Sequence, residues 1–485
     1  MQSHGERNIT GIIFILITFA ILIGFGYMMS NSQPQLVTAV IIGIVIALLS
    51  FFRQDIAAIA VIFSMLLSPE LKIASFSERD VVIRLEDIVI ITFFFSWLFK
   101  MAIFKSINLL KFTRLSYPIL AYILIALFST WLGIANGNVT GLKSLLYLIK
   151  YTEYFIIFFM FINIIQDEIQ LKKYLTAFAV TAIIVSIYGF IQILMGVKRI
   201  SAPFEGVPGE ANTFGGYLLL IMGLVIMYCL KTPLRKQRVL FGGVFLFLIV
   251  LLAGTLSRAS YLGFVVMLMV VFYFAKASQK QFLFFALLIG LVTAPFILPE
   301  RMKERVIAPF TGKTEEVAPL MKLNTSDSSY LKVESTKHIL ELWMDYPLLG
   351  WGVTGVGIVD VQYPRILGEM GILGLLSFIW IIVAIYRAFK QTRYILSQWR
   401  DEDVWQWNAL VLGYGAALAG LLIHGFAANT FVLVRIMEPF WFLTAIIVAL
   451  PAVLEKKAAS MATSPMKSAG PFLNNRPPVR SLSNY

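Results

Sequence analysis

The chain has 485 residues, 59% of them apolar and 14% charged, with a mean hydropathy of +0.82. That balance excludes a soluble enzyme, a secreted disulfide scaffold and a nucleic-acid binder, because globular domains carry about 25% charged residues. The formal charge of +13 is therefore read as membrane topology. The one cysteine, Cys229, sits inside an apolar run and can build neither a disulfide framework nor a thiolate metal cluster within one chain.

At about 20 residues per span, the apolar runs predict an all-α polytopic membrane protein of about 12 to 14 transmembrane helices. The first run, about Thr10 to Met29, follows Arg7 and is too long for a signal-peptide core, so it is expected to remain as a helix. Further spans are expected to begin near Leu36, Ile56, Ile88, Tyr117, Leu145, Tyr174, Thr213, Val239, Ser260 and Gln281, then near Ile366, Asn408 and Pro439. Those at Ile56 and Pro439 are short. The expected plan is transmembrane helices over 1–298, a large extracytoplasmic loop over 299–362, further transmembrane helices over 363–457 and a disordered cytoplasmic tail over 458–485. Alternating sides from a cytoplasmic amino terminus places most Lys and Arg of short loops inside, including Lys100 to Arg114, Lys231 to Arg238 and Arg387 to Arg400. Both termini are thus expected in the cytoplasm and the chain in the cytoplasmic membrane. No fixed-period repeat and no matching pair of broken helices is legible, which disfavours an inverted-repeat transporter.

The informative polar residues collect on the outer side of this topology: Arg84, Glu86, Asp87, Lys150, Glu153, Lys198, Arg199, Glu210, Asn212, Arg258, Asp360, Arg365, Glu369, His424 and Arg435. A charge inside the membrane costs several kcal/mol, so embedded ones need partners or a wet cavity. Either they form a site, or the cations snorkel to headgroups and the acids pair with them.

In Gly254-Thr-Leu-Ser257-Arg258-Ala-Ser-Tyr-Leu-Gly263, Ser257 can cap a helix with Arg258 at its amino end. Exposed backbone donors and a guanidinium suit a phosphate, although a boundary arginine reads equally well. Lys198 and Arg199 add cations from a loop fixed by prolines and glycines, which could also be a solvated connector. Asp360, Tyr363, Arg365 and Glu369 precede or open the helix expected from Ile366. A carboxylate there can serve as a general base; alternatively Asp360 caps the helix and Glu369 pairs with Arg365 four residues earlier. His424 closes a span at the same side and could be a hydrogen-bonded structural residue. No metal and no cofactor is expected, because His338 and His424 are far apart and no paired acidic motif stands in an outer loop.

The order of Ser257-Arg258, Pro347-Leu-Leu-Gly350-Trp-Gly352 and Asp360…Tyr363…Glu369-Met-Gly371-Ile-Leu-Gly374…Phe378 resembles the O-antigen ligase and polymerase family of bacterial membrane glycosyltransferases. Arg84-Leu-Glu-Asp87, Arg199 with Asn212-Thr, and His424…Trp441 extend the resemblance over residues 80 to 450. It implies a glycosyltransferase-C-like helical bundle with one large extracytoplasmic loop. The implied substrates are undecaprenyl diphosphate-linked sugars at the outer face of the cytoplasmic membrane, used without metal or nucleotide. The diphosphate would be held by Arg258, Arg199 and Lys198. Asp360 would act on the acceptor hydroxyl, with Glu369 and Arg258 in the reaction and Tyr363, Arg365, His424 and Asn212 positioning donor or acceptor. In the lipid-A-core ligase branch a histidine stands where this chain has Asp360, which moves the expectation toward a polymerase of O-antigen, capsule or exopolysaccharide. Partners would be the lipid-linked glycan donor, a glycan acceptor, the bilayer and a chain-length regulator. Three readings compete: a ligase acting on a lipid or protein acceptor, a peptidoglycan strand polymerase, and a lipid-linked oligosaccharide flippase. The last requires Lys150 and Glu153 to face a water-filled cavity open to both sides.

Overall fold

The computed structural model describes residues 34–75, 80–104, 111–205, 209–297, 300–311, 314–318, 321–325, 327–357 and 359–463. The first expected helix, Thr10 to Met29, and the end of the tail lie outside the described residues. Every later expected span has its helix: α1 (Pro34–Phe52), α2 (Gln54–Leu67), α3 (Leu85–Phe104), α4 (Ser116–Ala135), α5 (Gly141–Ile164), α6 (Glu168–Leu194), α7 (Ala211–Lys231), α8 (Arg235–Gly254), α9 (Arg258–Phe274) and α10 (Ala277–Ile297). After a polar segment holding α11 (Glu300–Ile307) and α12 (Ser328–Asp345) come α13 (Gln362–Leu396), α14 (Asp401–His424) and α15 (Val434–Thr463).

Among the described residues eight helices are long and apolar enough to cross a membrane, and Ile41–Phe52, Gln54–Leu67 and Arg258–Phe274 are shorter apolar helices. The chain is an all-α multi-pass membrane protein. Two antiparallel hairpins, Glu70–Ser75 with Asp80–Arg84 and Thr314–Ala318 with Met321–Asn324, are the β elements among the described residues. A span search is blind to them, since strands of four to six residues cannot register in a window of about 20. The last helix is longer than expected, starting at Val434 and running through Pro439 and Pro451 to Thr463.

The centre of the bundle is α7, α14 and α15. Small residues bring the first two into backbone contact: a Cβ on Gly223 would lie 2.8 Å from the Gly413 carbonyl, and one on Gly413 2.7 Å from that of Gly223. Gly263 of α9 approaches Gly420 of α14 in the same way, its Cβ position lying 2.7 Å from the Gly420 carbonyl. In a bilayer, where apolar burial does not drive helices together, such close approach supplies the dispersion contacts that do. Around this centre α4, α6, α8 and α10 present apolar side chains outward, among them Trp131, Ile183, Leu246 and Phe282.

Helix α13 is broken near its start. Gly371 takes φ 63° and ψ −165°, which interrupts the hydrogen-bond ladder. The segment Pro347–Gly352 repairs it. Trp351 N–H donates to the Gly368 carbonyl at 2.9 Å and Gly352 N–H to that of Glu369 at 2.9 Å. In return, Ile372 N–H and Leu373 N–H donate to the carbonyls of Pro347 and Leu348 at 2.9 and 3.2 Å. Ser129 of α4 adds its hydroxyl to the carbonyls of Leu349 and Glu369, at 2.5 and 2.7 Å. Irregular backbone within a membrane protein survives only when its polar groups are paired in this way. The Gly350, Gly352, Gly371 pattern follows, since all three have positive φ and a Cβ at Gly371 would meet the Leu348 carbonyl at 2.3 Å.

Candidate functional site

The expected polar residues gather at the end of the bundle that carries residues 300–361, in two clusters. The first is built on the α8–α9 turn. Ser257 caps α9, its hydroxyl oxygen accepting from Ser260 N–H at 3.3 Å, and donates its own proton to Asn212 Oδ1 at 2.8 Å. Gly215 makes this possible, because any Cβ there would sit 2.0 Å from Ser260 Oγ. Arg258 is thereby fixed at the first turn of α9, with Leu256 before it held at φ 50°. A leucine in the left-handed region is strained, and such strain persists where the surroundings over-determine it.

The Arg258 guanidinium reaches into the long loop. Its Nη2 bonds Asp327 Oδ1 at 2.9 Å and Ser328 Oγ at 2.7 Å, while its Nη1 is buried without a partner among the described residues. Asp327 in turn caps α12 by accepting from Ser329 N–H at 2.8 Å. Burial alone would push Asp327 up, but the hydrogen bonds from Arg258 and Ser329 outweigh it and hold the carboxyl below its usual range.

Three further cations converge here. Arg199 lies on the loop after α6, its Nε donating to the Thr255 carbonyl at 3.3 Å. Burial and the nearby charges of Arg305 and Arg258 lower its proton affinity. Lys332, one turn into α12, donates to the Ala427 carbonyl. Its ammonium is pushed down by burial and by Arg258, Arg199 and Arg305, while Asp360 acts in its favour. Arg305 of α11 also has its Nε buried and unpaired among the described residues. Cations held together against mutual repulsion, with donors unspent, make an anion site.

Asp360 is exposed beside this cluster and does not cap α13, whose N-cap is Val361. His424 is buried below it, Nδ1 sharing a 2.7 Å hydrogen bond with Thr430 Oγ1 and Nε2 unpaired among the described residues. Tyr363 donates its hydroxyl to the Leu422 carbonyl at 2.5 Å and packs on Phe426 with ring centroids 4.6 Å apart. Lys198 is exposed.

Glu369 and Arg365 pair with each other, Nε to Oε1 at 3.0 Å, and both are buried. Glu369 also accepts from Thr354 N–H at 3.0 Å and from the Tyr151 hydroxyl at 3.2 Å. Its carboxylate is thus bonded on both oxygens, at the break of α13, by groups from three elements. Thr354 reaches it at φ 75°, a conformation that β-branched residues rarely take.

The second cluster joins α3, α5 and α15. Lys150 forms ion pairs with Asp87 and with Glu153, the latter at 3.2 Å, and Arg84 pairs with Glu86 at 3.3 Å. Lys150 is therefore committed to both Glu153 and Asp87. Glu438 is fully buried, faces Glu86, Glu153, Asp87 and Lys150, and has neither carboxyl oxygen hydrogen-bonded among the described residues. Arg435, one turn earlier on α15, donates to the carbonyls of Leu66, Ser68, Pro203 and Phe204, which ties the end of α2 to the loop that carries Arg199. Glu205 on that loop is pushed up to about 7 by burial, against the pull of Arg435 and with the help of Glu210.

Sequence reasoning missed Arg305, Asp327, Lys332, Tyr151 and Glu438. The Asp-Ser-Ser start of α12 was a legible capping signal that could have placed Asp327 and Lys332 at one helix end. Nothing in the sequence brings them to Arg258.

Residues 243–379 match the family model described as O-antigen ligase. The matched stretch runs from α8 into α13 and includes Ser257, Arg258, Arg305, Asp327, Lys332, Asp360 and Glu369, but not Arg199 or His424. It bears out the resemblance drawn from the motifs. The chain has no match among curated proteins.

Proposed function

We propose, from the match of residues 243–379 to the O-antigen ligase family model, that the chain is a glycosyltransferase of surface polysaccharide assembly acting on polyprenyl diphosphate-linked oligosaccharides at the outer face of the cytoplasmic membrane. The observation that carries this reading is the cation cluster of Arg258, Arg199, Arg305 and Lys332, with Arg258 Nη1 and Arg305 Nε unspent.

The transfer forms a bond between an acceptor hydroxyl oxygen and the anomeric carbon of the donor, and breaks the bond from that carbon to the diphosphate. The diphosphate leaves with the electron pair, so negative charge grows on it as the bond lengthens. Preorganised guanidinium groups in a partly dry site stabilise that charge without reorganising, which is the largest single contribution such a site can make. The acceptor proton goes to a carboxylate, for which Asp360, exposed and near enough to act on the Lys332 charge, is the candidate. Arg365, Glu369 and Tyr363 position the broken helix through the bonds described above. A small buried apolar cavity lined by Tyr122, Phe155, Phe378, Ile385, Phe431 and Trp441 adjoins Tyr363 through Phe378, and is too small to take a lipid tail.

The test is turnover in nanodiscs with lipid-linked repeat units, products separated by size. A ladder that depends on Arg258 and forms without nucleotide sugar supports polymerisation. A single addition to one acceptor supports the ligase reading, which the family description favours. Normal product from Arg258→Ala at wild-type abundance overturns both.

A further inference from the structure

Helix α12 presents three sides at about 100° per residue. Ile339, Leu342 and Lys332 face the protein; Ile339 is buried in a small apolar cluster with Val356, Val359 and Val361. Glu334, His338, Glu341 and Asp345 form a second, polar side, with the His338 and Glu341 side chains 66% and 76% exposed. The third side is apolar: Val333 and Trp343 are half-buried, Leu340 is 38% and Met344 71% exposed. Leu348, 62% exposed, continues it beyond the helix.

The surroundings identify what covers this side. Seven residues after α12, Gly352 lies against α4, where a Cβ on it would come within 3.3 to 3.4 Å of the backbone of Ser129, Thr130 and Gly133. Ser129 is about 9 Å below the end of that helix, at 1.5 Å per residue. The same stretch of α4 turns Leu124, Leu127, Phe128 and Trp131 outward, Trp131 to 61%. These are the lipid-facing residues of a membrane-crossing helix. The segment that follows α12 is thus seated against a membrane-crossing helix whose outward side is apolar.

We propose that α12 is an interfacial helix: its Val333, Leu340, Trp343 and Met344 side is immersed in the boundary between headgroups and acyl chains, and its Glu334, His338, Glu341 and Asp345 side stands in water. The division of an exposed helix into an apolar and a charged flank, with Lys337 between them to reach the headgroups, is the pattern of a helix lying in the bilayer surface. This inference does not depend on the transfer reaction. Its consequence for that reaction is positional, because the amino end of α12 supplies Asp327, Ser328 and Lys332 to the cation cluster. A bilayer-anchored α12 fixes that cluster at the depth where a membrane lipid presents its diphosphate.

The experiment reads depth, not activity. In a Cys229→Ala background in nanodiscs, single nitroxide labels are placed by Leu340→Cys, Met344→Cys, Glu341→Cys and Asp345→Cys, and collisions with oxygen and with a water-soluble nickel chelate are compared. Labels at 340 and 344 are expected to favour oxygen over nickel several-fold more than labels at 341 and 345. Equal nickel access at all four positions overturns the proposal. So does shielding of 340 and 344 from both reagents, which is what a second copy of the chain packed on the stripe would give. As a check without labels, bilayers of brominated lipids should quench the wild-type fluorescence more than that of Trp343→Phe; an unchanged quenched fraction counts against immersion.

Discussion

Around Arg258 the cations outnumber the acids, and around Glu438 the carboxylates outnumber the cations. The Arg258 group gathers Arg199, Arg305 and Lys332 against Asp327 and Asp360, with two guanidinium nitrogens left unspent. The other gathers Glu86, Asp87, Glu153 and Glu438 against Lys150, Arg84 and Arg435. There the cations are committed: Lys150 to two carboxylates, and Arg435 to four backbone carbonyls. Excess donors left without partners among the described residues mark a candidate anion site. A guanidinium bonded to four backbone carbonyls is a brace, and this brace holds the loop that delivers Arg199.

That distinction is open to attack by substitution. Arg258→Ala is expected to reduce transfer by about 100-fold or more, the scale of losing a preorganised donor to a leaving group. Its folding should be nearly intact, checked by a product assay beside size-exclusion and thermal unfolding. Loss of the folded protein, with specific activity retained in what survives, would make Arg258 structural. Arg435→Met should do the reverse. Breaking a buried charge that bonds four carbonyls costs about 3–5 kcal/mol. The melting temperature and yield should fall, and lipid diphosphate binding should weaken only as Arg199 is released.

Gly371→Ala sharpens the comparison, because it touches neither cluster. It should cost about 1–3 kcal/mol, since alanine at φ 63° is strained and its Cβ would meet the Leu348 carbonyl at 2.3 Å. An unchanged melting temperature would mean that the Pro347–Gly352 segment is not seated in the α13 break. The smallest effect is expected from Glu205→Gln. Burial raises Glu205 from its ordinary value of 4.5 to about 7, so ionising it works against the folded loop. The stability it lends below pH 4.5 is lost as pH rises toward 7. The variant should remove that part of the pH dependence and raise the melting temperature at pH 8 by ~2 °C. An identical pH profile would place Glu205 in water.

The pairing of Glu369 with Arg365 shows how far spacing reaches. Residues four apart on a helix meet, so the ion pair was legible from the sequence. The capping of α9 by Ser257 was legible for the same local reason, as was the presence of each apolar helix from Leu36 onward. Tyr151 and Thr354 on Glu369 were not, because they are 218 and 15 residues away and meet it only where α5 and the loop cross the α13 break. The break itself shows in the sequence only as glycines, and its repair by Pro347–Gly352 depends on backbone bonds that leave no side-chain signature.

Local chemistry therefore determined that this chain spans a membrane, where its helices run, and which polar residues stand at helix ends, because hydropathy, helical period and caps act over a few turns. The tertiary structure decided which of those residues share a charge environment. Arg199, Arg258, Arg305 and Lys332 come from four elements, and only packing brings like charges together against their repulsion. The sequence made them cations; the fold gathered them.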